Sequence, residues 1–203
     1  MIYALIPAAG KSERMGRPKL SLPFRGSTIL QTVIESIRRG GVEQILVVIG
    51  PHIAELVPIA EAASAHVLLL NQETADMRAT IEEGLAWLEE RFHPHHDDCF
   101  LLVPADHPTL DANVVHMLIR ARQDNSECSI FVPTFQGTRG HPALIGWKHT
   151  PGIRALRAGT GLNQYLRQSR KQTIELPVDT EGVLCDLDTP EDYASLQFPE
   201  KHL

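Results

Sequence analysis

The sequence predicts an α/β fold in three layers, with a mostly parallel sheet covered by helices on both faces. Three observations carry this expectation. Short, solid apolar runs alternate along the chain with longer stretches whose apolar residues recur at helical spacing. The runs are apolar at every position rather than every second one, as expected of strands buried on both faces. Aromatics make up only 5% of a chain that is 43% hydrophobic, so Ala, Val, Ile and Leu must fill the core. The 203 residues suffice for one well-buried core, and no linker or internal repeat interrupts them. The expectation is a single domain over residues 1–203.

The elements follow in order. Residues 2–6 form a first strand that Pro7 stops, and residues 8–19 fit neither a helical nor a strand period. Ser27 or Thr28 caps a helix whose apolar positions are Ile29, Leu30, Val33, Ile34 and Ile37, ended by Gly40 and Gly41. A strand at 45–49, a helix at 53–63, a strand at 67–70 and a helix at 78–92 come next. The polar stretch 93–98 (HPHHDD) has no helical i,i+4 pair of ligands and reads as a solvated loop rather than a metal cluster. A strand at 99–103 runs into Pro104-Ala105-Asp106-His107-Pro108. Asp111 caps a helix to about residue 122, and a strand at 129–132 follows. Residues 135–147 are Gly-rich and read as a hairpin or excursion. Helices at 152–158 and 161–169 precede strands at 173–176 and 183–186. Thr189 caps a last helix that begins at Pro190, with Glu191 and Asp192 in its first turn.

Composition excludes several classes. The formal net charge is -6, against a general nucleic-acid binder. No apolar run approaches the roughly 18 residues of a spanning helix. The short apolar stretch 1–6 has no basic flank and does not read as a signal peptide. Cys99, Cys128 and Cys185 are an odd number at wide spacing, which fits reduced core thiols in a cytoplasmic protein.

Chemistry concentrates in Pro7-Ala8-Ala9-Gly10-Lys11-Ser12-Glu13-Arg14-Met15-Gly16-Arg17-Pro18-Lys19. This stretch follows the first strand and so lies at the carboxyl edge of the sheet, where open α/β folds bind ligands. Gly10 and Gly16 let the backbone turn and bring its N–H groups near an anion, and Ser12 adds a hydroxyl donor. Residues 11–25 hold five basic residues and one acid. The pattern is neither a Walker A nor a GxGxxG loop; it is a polyphosphate loop or a solvated basic one. Asp106, at the end of a buried strand on the same edge, is either a turn cap or a Mg²⁺ ligand. Asp186 and Asp188 alternate along the expected strand, so only one of them can face that site. His141 is either a turn residue beside Pro142 or a site residue.

At these residues the chain resembles the MobA-like nucleotidyltransferases. Ala8-Ala9-Gly10-Lys11-Ser12-Glu13-Arg14-Met15-Gly16 with Lys19 is similar to the family's AAGxSxRMGxxK signature. Asp106-His107-Pro108 resembles its Asp-x-Pro, Gly140-His141-Pro142-Ala143-Leu144 its Gly-His-Pro-x-Leu, and residues 186–192 (DLDTPED) its Asp-Ile-Asp-Thr-Pro-Glu-Asp. The combination is similar to the branch of molybdenum cofactor cytidylyltransferases. The middle segment 71–80 departs from the family pattern, with no Pro and no Gly before Met77.

The resemblance implies a Rossmann-like fold with a mostly parallel, mixed sheet of the nucleotide-diphospho-sugar transferase type. It implies a Mg²⁺-dependent enzyme that transfers CMP from CTP to the phosphate of molybdopterin or molybdenum cofactor, with a client molybdenum hydroxylase receiving the product. Ala8, Ala9, Gly10, Ser12, Arg14, Gly16 and Lys19, with Asn71 and Thr80, would bind the nucleotide. Arg14 would hold the β- and γ-phosphates, Lys19 would neutralise charge at the α-phosphate, and Asp106 with Asp188 would hold the metal. His141 would border the acceptor. Asp106 and Asp188 without a cation would repel each other. The alternatives are a relative using another NTP or acceptor, and a cofactor-binding maturation chaperone without turnover.

Overall fold

The computed structural model describes residues 1–11, 15–16, 18–157 and 159–197. The chain begins with β1 (Ile2–Ala8), then a two-stranded ribbon of β2 (Pro23–Phe24) and β3 (Ser27–Thr28). Thr28 then caps α1 (Ile29–Arg39) by accepting a hydrogen bond from the Gln31 N–H at 3.2 Å. β4 (Gln44–Ile49) leads through a 3₁₀ segment, Pro51–Leu56, into α2 (Val57–Ala62) and β5 (His66–Leu69). Asp76 starts α3 (Met77–Phe92), accepting from the Ala79 N–H at 2.8 Å. β6 (Cys99–Leu102), α4 (Ala112–Asp124), β7 (Ile130–Phe135), β8 (Thr138–Arg139) and β9 (Ala143–Gly146) follow. The chain closes with α5 (Thr150–Arg154), α6 (Leu162–Gln168), β10 (Thr173–Pro177) and α7 (Pro190–Gln197).

The main sheet runs β10-β7-β9-β6-β1-β4-β5, with β8 attached to β7. β9 is antiparallel to β6 and β7, and the other pairs along this path are parallel. The sheet is therefore mixed and mostly parallel, and the 135–147 excursion supplies its antiparallel strands, β8 and β9. Alternate residues of β1 feed two separate cores. Ala4, Ile6 and Ala8 pack with α1, α2 and α4 on one face. Tyr3 and Leu5 pack with α3, α5 and α6 on the other. α3 lies so close that a Cβ at Gly84 would sit 2.4 Å from a Leu5 methyl. Three layers result, as the apolar runs imply. Among the described residues no helix is long and apolar enough to cross a membrane.

Three local expectations need correction. The first strand does not stop at Pro7 but continues to Ala8 beside β4, with Pro7 opposite Val48. The Leu5 carbonyl accepts from Val103, so Pro7, two residues on, turns its missing N–H toward the side where pairing with β6 has ended. The ring therefore costs no ladder bond. The helix expected at 152–158 is found as α5 at Thr150–Arg154, starting earlier behind a 3₁₀ turn, Trp147–His149, and ending sooner, and Ala158 lies outside the described residues. The strand expected at 183–186 is a 3₁₀ turn, Glu181–Val183, and an irregular run to the last helix. Val183 there accepts from the His141 N–H at 2.7 Å and Leu187 donates to the Asp106 carbonyl at 3.1 Å, single contacts rather than a ladder.

Candidate active site

β1 and β6 are parallel neighbours, so their carboxyl ends place Ala8 and the 103–106 segment side by side. The loop after β1 returns Lys19 to this edge. Its ammonium is bonded to Asp106 Oδ2 at 2.6 Å, to the Leu187 carbonyl at 2.7 Å and to Asp188 Oδ1 at 3.1 Å. The three side chains are only 14%, 23% and 28% exposed, so water screens the cluster weakly. A cation thus stands between the two carboxylates. The repulsion expected between Asp106 and Asp188 is offset in this structure by Lys19.

Asp188 owes its position to what flanks it. Leu187 is fully buried and anchors the run. The Asp192 carboxylate accepts from the backbone N–H groups of Asp188 at 3.0 Å and Thr189 at 2.7 Å. Thr189 Oγ1 accepts from the Asp192 N–H at 3.1 Å, completing a reciprocal cap at the start of α7. Hydrogen bonds with Thr189 and the backbone hold the Asp192 carboxyl below the usual range. The Asp-Thr-Pro-Glu-Asp run is therefore a helix start that also fixes a site carboxylate.

On the other side of Leu187, Asp186 bonds to Nε2 of His107, a side chain only 1% exposed. That bond pulls the Asp186 carboxyl down. Without a strand, Asp186 and Asp188 both border Asp106. The ligand atoms of Asp106, His107 and Asp186 lie within 4.8 Å of one another. His141 stands edge-on to His107 at 5.3 Å between ring centroids. Burial, and then the neighbouring His107, lowers its pKa. Gly140 is required here by close approach: a Cβ would sit 2.4 Å from the Val183 carbonyl oxygen.

Two hollows meet at this edge. The first, about 470 Å³, is lined by Ala8, Gly10, Lys11, Lys19, Asp106 and Asp188 among others. The second, about 390 Å³, has mostly apolar walls, including Ile81, Leu102, Ala143, Leu162 and Leu166, with His141 and Arg78. Pro7, Met77 and Pro104 line both. Lys11 pairs with Glu73 at 2.8 Å, tying the glycine loop to the 71–80 segment. The Lys11 bond draws the exposed Glu73 carboxyl down.

The structure thus gathers Ala8, Gly10, Lys19, Asp106 and Asp188 in one cleft, with His141 in the adjoining cavity. Ala9 is half-buried against the core and Gly16 takes a left-handed conformation, φ +64°. Asn71 lines a different groove, beside Glu73 and Thr74. Thr80 is buried, its hydroxyl bonded to Thr74 Oγ1 at 2.6 Å and to the Asp76 carbonyl at 3.3 Å. Ser12 and Arg14 lie outside the described residues. Sequence reasoning did not single out the His107–Asp186 pair or Arg78. The signals for the first were the place of His107 beside Asp106 and that of Asp186 beside Asp188.

The family model for the MobA-like NTP transferase domain matches residues 4–173. The chain is 27% identical to the molybdenum cofactor cytidylyltransferase of Escherichia coli, with 95% of this chain and 93% of that protein covered. It is 24% identical to the nicotine blue oxidoreductase of Paenarthrobacter nicotinovorans, covering 94% and 93% respectively. A crystal structure of Rv0371c from Mycobacterium tuberculosis, in complex with manganese, superposes with a TM-score of 0.76 at 24% identity over 98% of both chains. Matched by that family model over most of its length, this chain belongs to the MobA-like NTP transferases.

Proposed function

We propose that this nucleotidyltransferase moves CMP from CTP to the phosphate of molybdopterin or its molybdenum-loaded form. A phosphate oxygen of the acceptor forms the new bond to the α-phosphorus of CTP. The bond from that phosphorus to the β-phosphate bridging oxygen breaks, and pyrophosphate leaves. The observation that carries this reading is the cradle of Asp106, Asp188 and the Leu187 carbonyl around the Lys19 ammonium, at the mouth of the glycine loop.

That cradle suits a small hard cation. Its donors are oxygens, two of them carboxylates, and it already encloses a positive charge. Mg²⁺ held by Asp106 and Asp188 would neutralise charge on the phosphates. The ammonium of Lys19 would then turn to the α-phosphate, where negative charge builds in the transition state. Arg14, Ser12 and the backbone from Gly10 to Gly16 would hold the β- and γ-phosphates, with Ala8 and Ala9 beside the nucleotide. Asn71 and Thr80 are the proposed residues of the middle segment, Thr80 acting by fixing the loop through Thr74. His141 would face the acceptor, and a client molybdenum hydroxylase would take the product. The 27% identical cytidylyltransferase supports this choice of nucleotide and acceptor.

The test is pyrophosphate release from each of the four NTPs, with and without molybdopterin and Mg²⁺. CTP is expected to lead GTP by roughly tenfold, and release is expected to need both molybdopterin and metal. Equal or faster release from GTP would overturn the nucleotide assignment. A CTP-induced rise in melting temperature without any release would favour the chaperone reading.

A further inference from the structure

The bond between His107 and Asp186 lies outside the Lys19 cradle, yet it joins the two segments that carry the cradle's carboxylates. Asp188 belongs to no helix or strand. It ends an irregular run that lies against residues 106–109 through scattered ties. Thr109 Oγ1 donates to the Gly182 carbonyl at 3.3 Å, and the Leu187 N–H donates to the Asp106 carbonyl at 3.1 Å. Between these two ties, Nε2 of His107 is bonded to the Asp186 carboxylate. Asp106, His107 and Asp186 bring their ligand atoms within 4.8 Å of one another, as three ligands of one ion would. The imidazole and the Asp186 carboxylate already satisfy each other, however, so the pair reads as a clamp rather than as ligands.

Register shows what the clamp does. Asp106 and His107 are neighbours in the chain, while Asp186 and Asp188 flank Leu187. A slip of one residue moves an extended chain by about 3.3 Å, enough to take Asp188 out of bonding distance of Lys19, now 3.1 Å. The single backbone bond at Leu187 is a weak lock against such a slip. A hydrogen bond to a carboxylate is stronger. It is also anchored, because His107 is only 1% exposed and stands edge-on to His141 at 5.3 Å, so its ring has little room to follow a moving Asp186. We propose that His107 and Asp186 are positioning residues: their bond locks the 182–188 run against Asp106 and so sets the separation of the two carboxylates that would hold the metal. The proposal deepens the transferase reading, on which it rests for the role of Asp106 and Asp188. Neither His107 nor Asp186 touches the reacting atoms in this role; both act through Asp188.

Metal affinity tests the clamp without turnover. Mn²⁺ alone is titrated into the full chain, and the free ion is followed by its electron spin resonance. The Lys19 ammonium competes in every variant alike, so the ratios of affinity carry the result. Asp186→Ala and His107→Phe remove the bond, the second while filling the ring's space, and each is expected to weaken Mn²⁺ binding roughly 10- to 100-fold. Asp186→Asn keeps an oxygen that accepts from the imidazole, so it is expected to bind within about threefold of the native chain. Leu88→Ala opens a cavity in the core under α3 and lowers the melting temperature, yet is expected to leave Mn²⁺ affinity within about twofold. Native affinity in both Asp186→Ala and His107→Phe would overturn the proposal, as would the absence of saturable Mn²⁺ binding to the native chain. Asp186→Asn binding as weakly as Asp186→Ala would overturn it too, by making the charge of Asp186 the determinant. Equal weakening in Leu88→Ala would reduce the pair to general stability. The expected pattern of Mn²⁺ affinities without pyrophosphate release from any NTP would defeat the transferase reading alone. Release whose Mg²⁺ requirement is the same in the native chain and Asp186→Ala would defeat the clamp alone.

Discussion

The phosphate-side cleft and the apolar cavity share Pro7, Met77 and Pro104, yet they hold a ligand by different means. The first is lined by Lys11, Lys19, Asp106 and Asp188, with Lys19 between the two carboxylates and Lys11 paired with Glu73. The second has largely aliphatic walls, with Arg78 and His141 among its lining residues. A charged cleft of this kind can stabilise charge that develops during a reaction, because its charged groups are gathered at the site before the ligand arrives. An apolar cavity discriminates by shape and by polar atoms that must not be left unpaired. Rate and selectivity should therefore separate by residue, the first cleft governing turnover and the second the acceptor.

The hardest break in this division is Asp106→Asn. Pyrophosphate release is expected to fall about a thousandfold or more, since the cradle loses its shortest bond to the cation and half of its carboxylate charge. The apo protein should also lose stability, because Lys19 is left part-buried with weaker partners. A loss of about 1–2 kcal/mol would appear as a melting temperature several degrees lower. Relief of carboxylate repulsion would give the opposite sign, and the bound ammonium is the reason to expect otherwise. Full turnover in this variant would remove Asp106 from the chemistry.

A smaller effect is expected from Gly140→Ala, which should touch the second cavity more than the first. The added Cβ would meet the Val183 carbonyl oxygen at 2.4 Å and its Cβ at 2.8 Å, so one backbone must move. About 1–3 kcal/mol of stability should be lost. His141 sits on the displaced segment, so the acceptor KM should rise several-fold while the CTP KM changes less. A CTP KM that rises as much as the acceptor KM would show that the two sites are not separable at this point.

The same contrast explains what could be read from sequence. The mostly parallel sheet follows from solid apolar runs, and Lys19, Asp106 and Asp188 sit in short motifs whose local spacing survives folding. The 183–186 run misled because its apolar residues suit a strand, while only the fold shows that Val183 and Leu187 each find a single backbone partner. Pro7 misled in the other direction: a proline breaks a ladder only where the neighbouring strand still needs its N–H. The His107–Asp186 pair spans 79 residues, and Arg78 reaches Leu156 across 78, distances at which no spacing rule applies. The apolar cavity was hidden for the same reason, since its walls come from segments scattered from Pro7 to Leu166.

The smallest expected effect separates the stability of the fold from the chemistry of either cleft. On the α3, α5 and α6 face, His149 is 4% exposed and is bonded to Ser129 Oγ at 2.7 Å and Tyr165 OH at 2.9 Å. Burial, and then the neighbouring Lys148, lowers its pKa from 6.5 to about 4. The unfolded chain would therefore take up this proton at a higher pH than the folded one. The stability held by the neutral ring is complete above about pH 6.5, declines as pH falls below that, and stops declining below about 4. His66 and His141 are also shifted downward by burial and add losses of the same sign in the wild type. Asp186, lowered by its bond to His107, gives its full contribution above the ordinary 3.8 of an aspartate and loses it progressively as pH falls from there through its depressed value, below the window used here. Each kcal/mol lost shows as about 2–4 °C in melting temperature. His149→Gln keeps a neutral hydrogen-bonding side chain but cannot titrate, so the difference between the two proteins isolates this residue. Its melting temperature should fall less steeply than the wild type between pH 6.5 and 4, whatever the offset at neutral pH. Parallel curves over that window would show that His149 does not carry the loss.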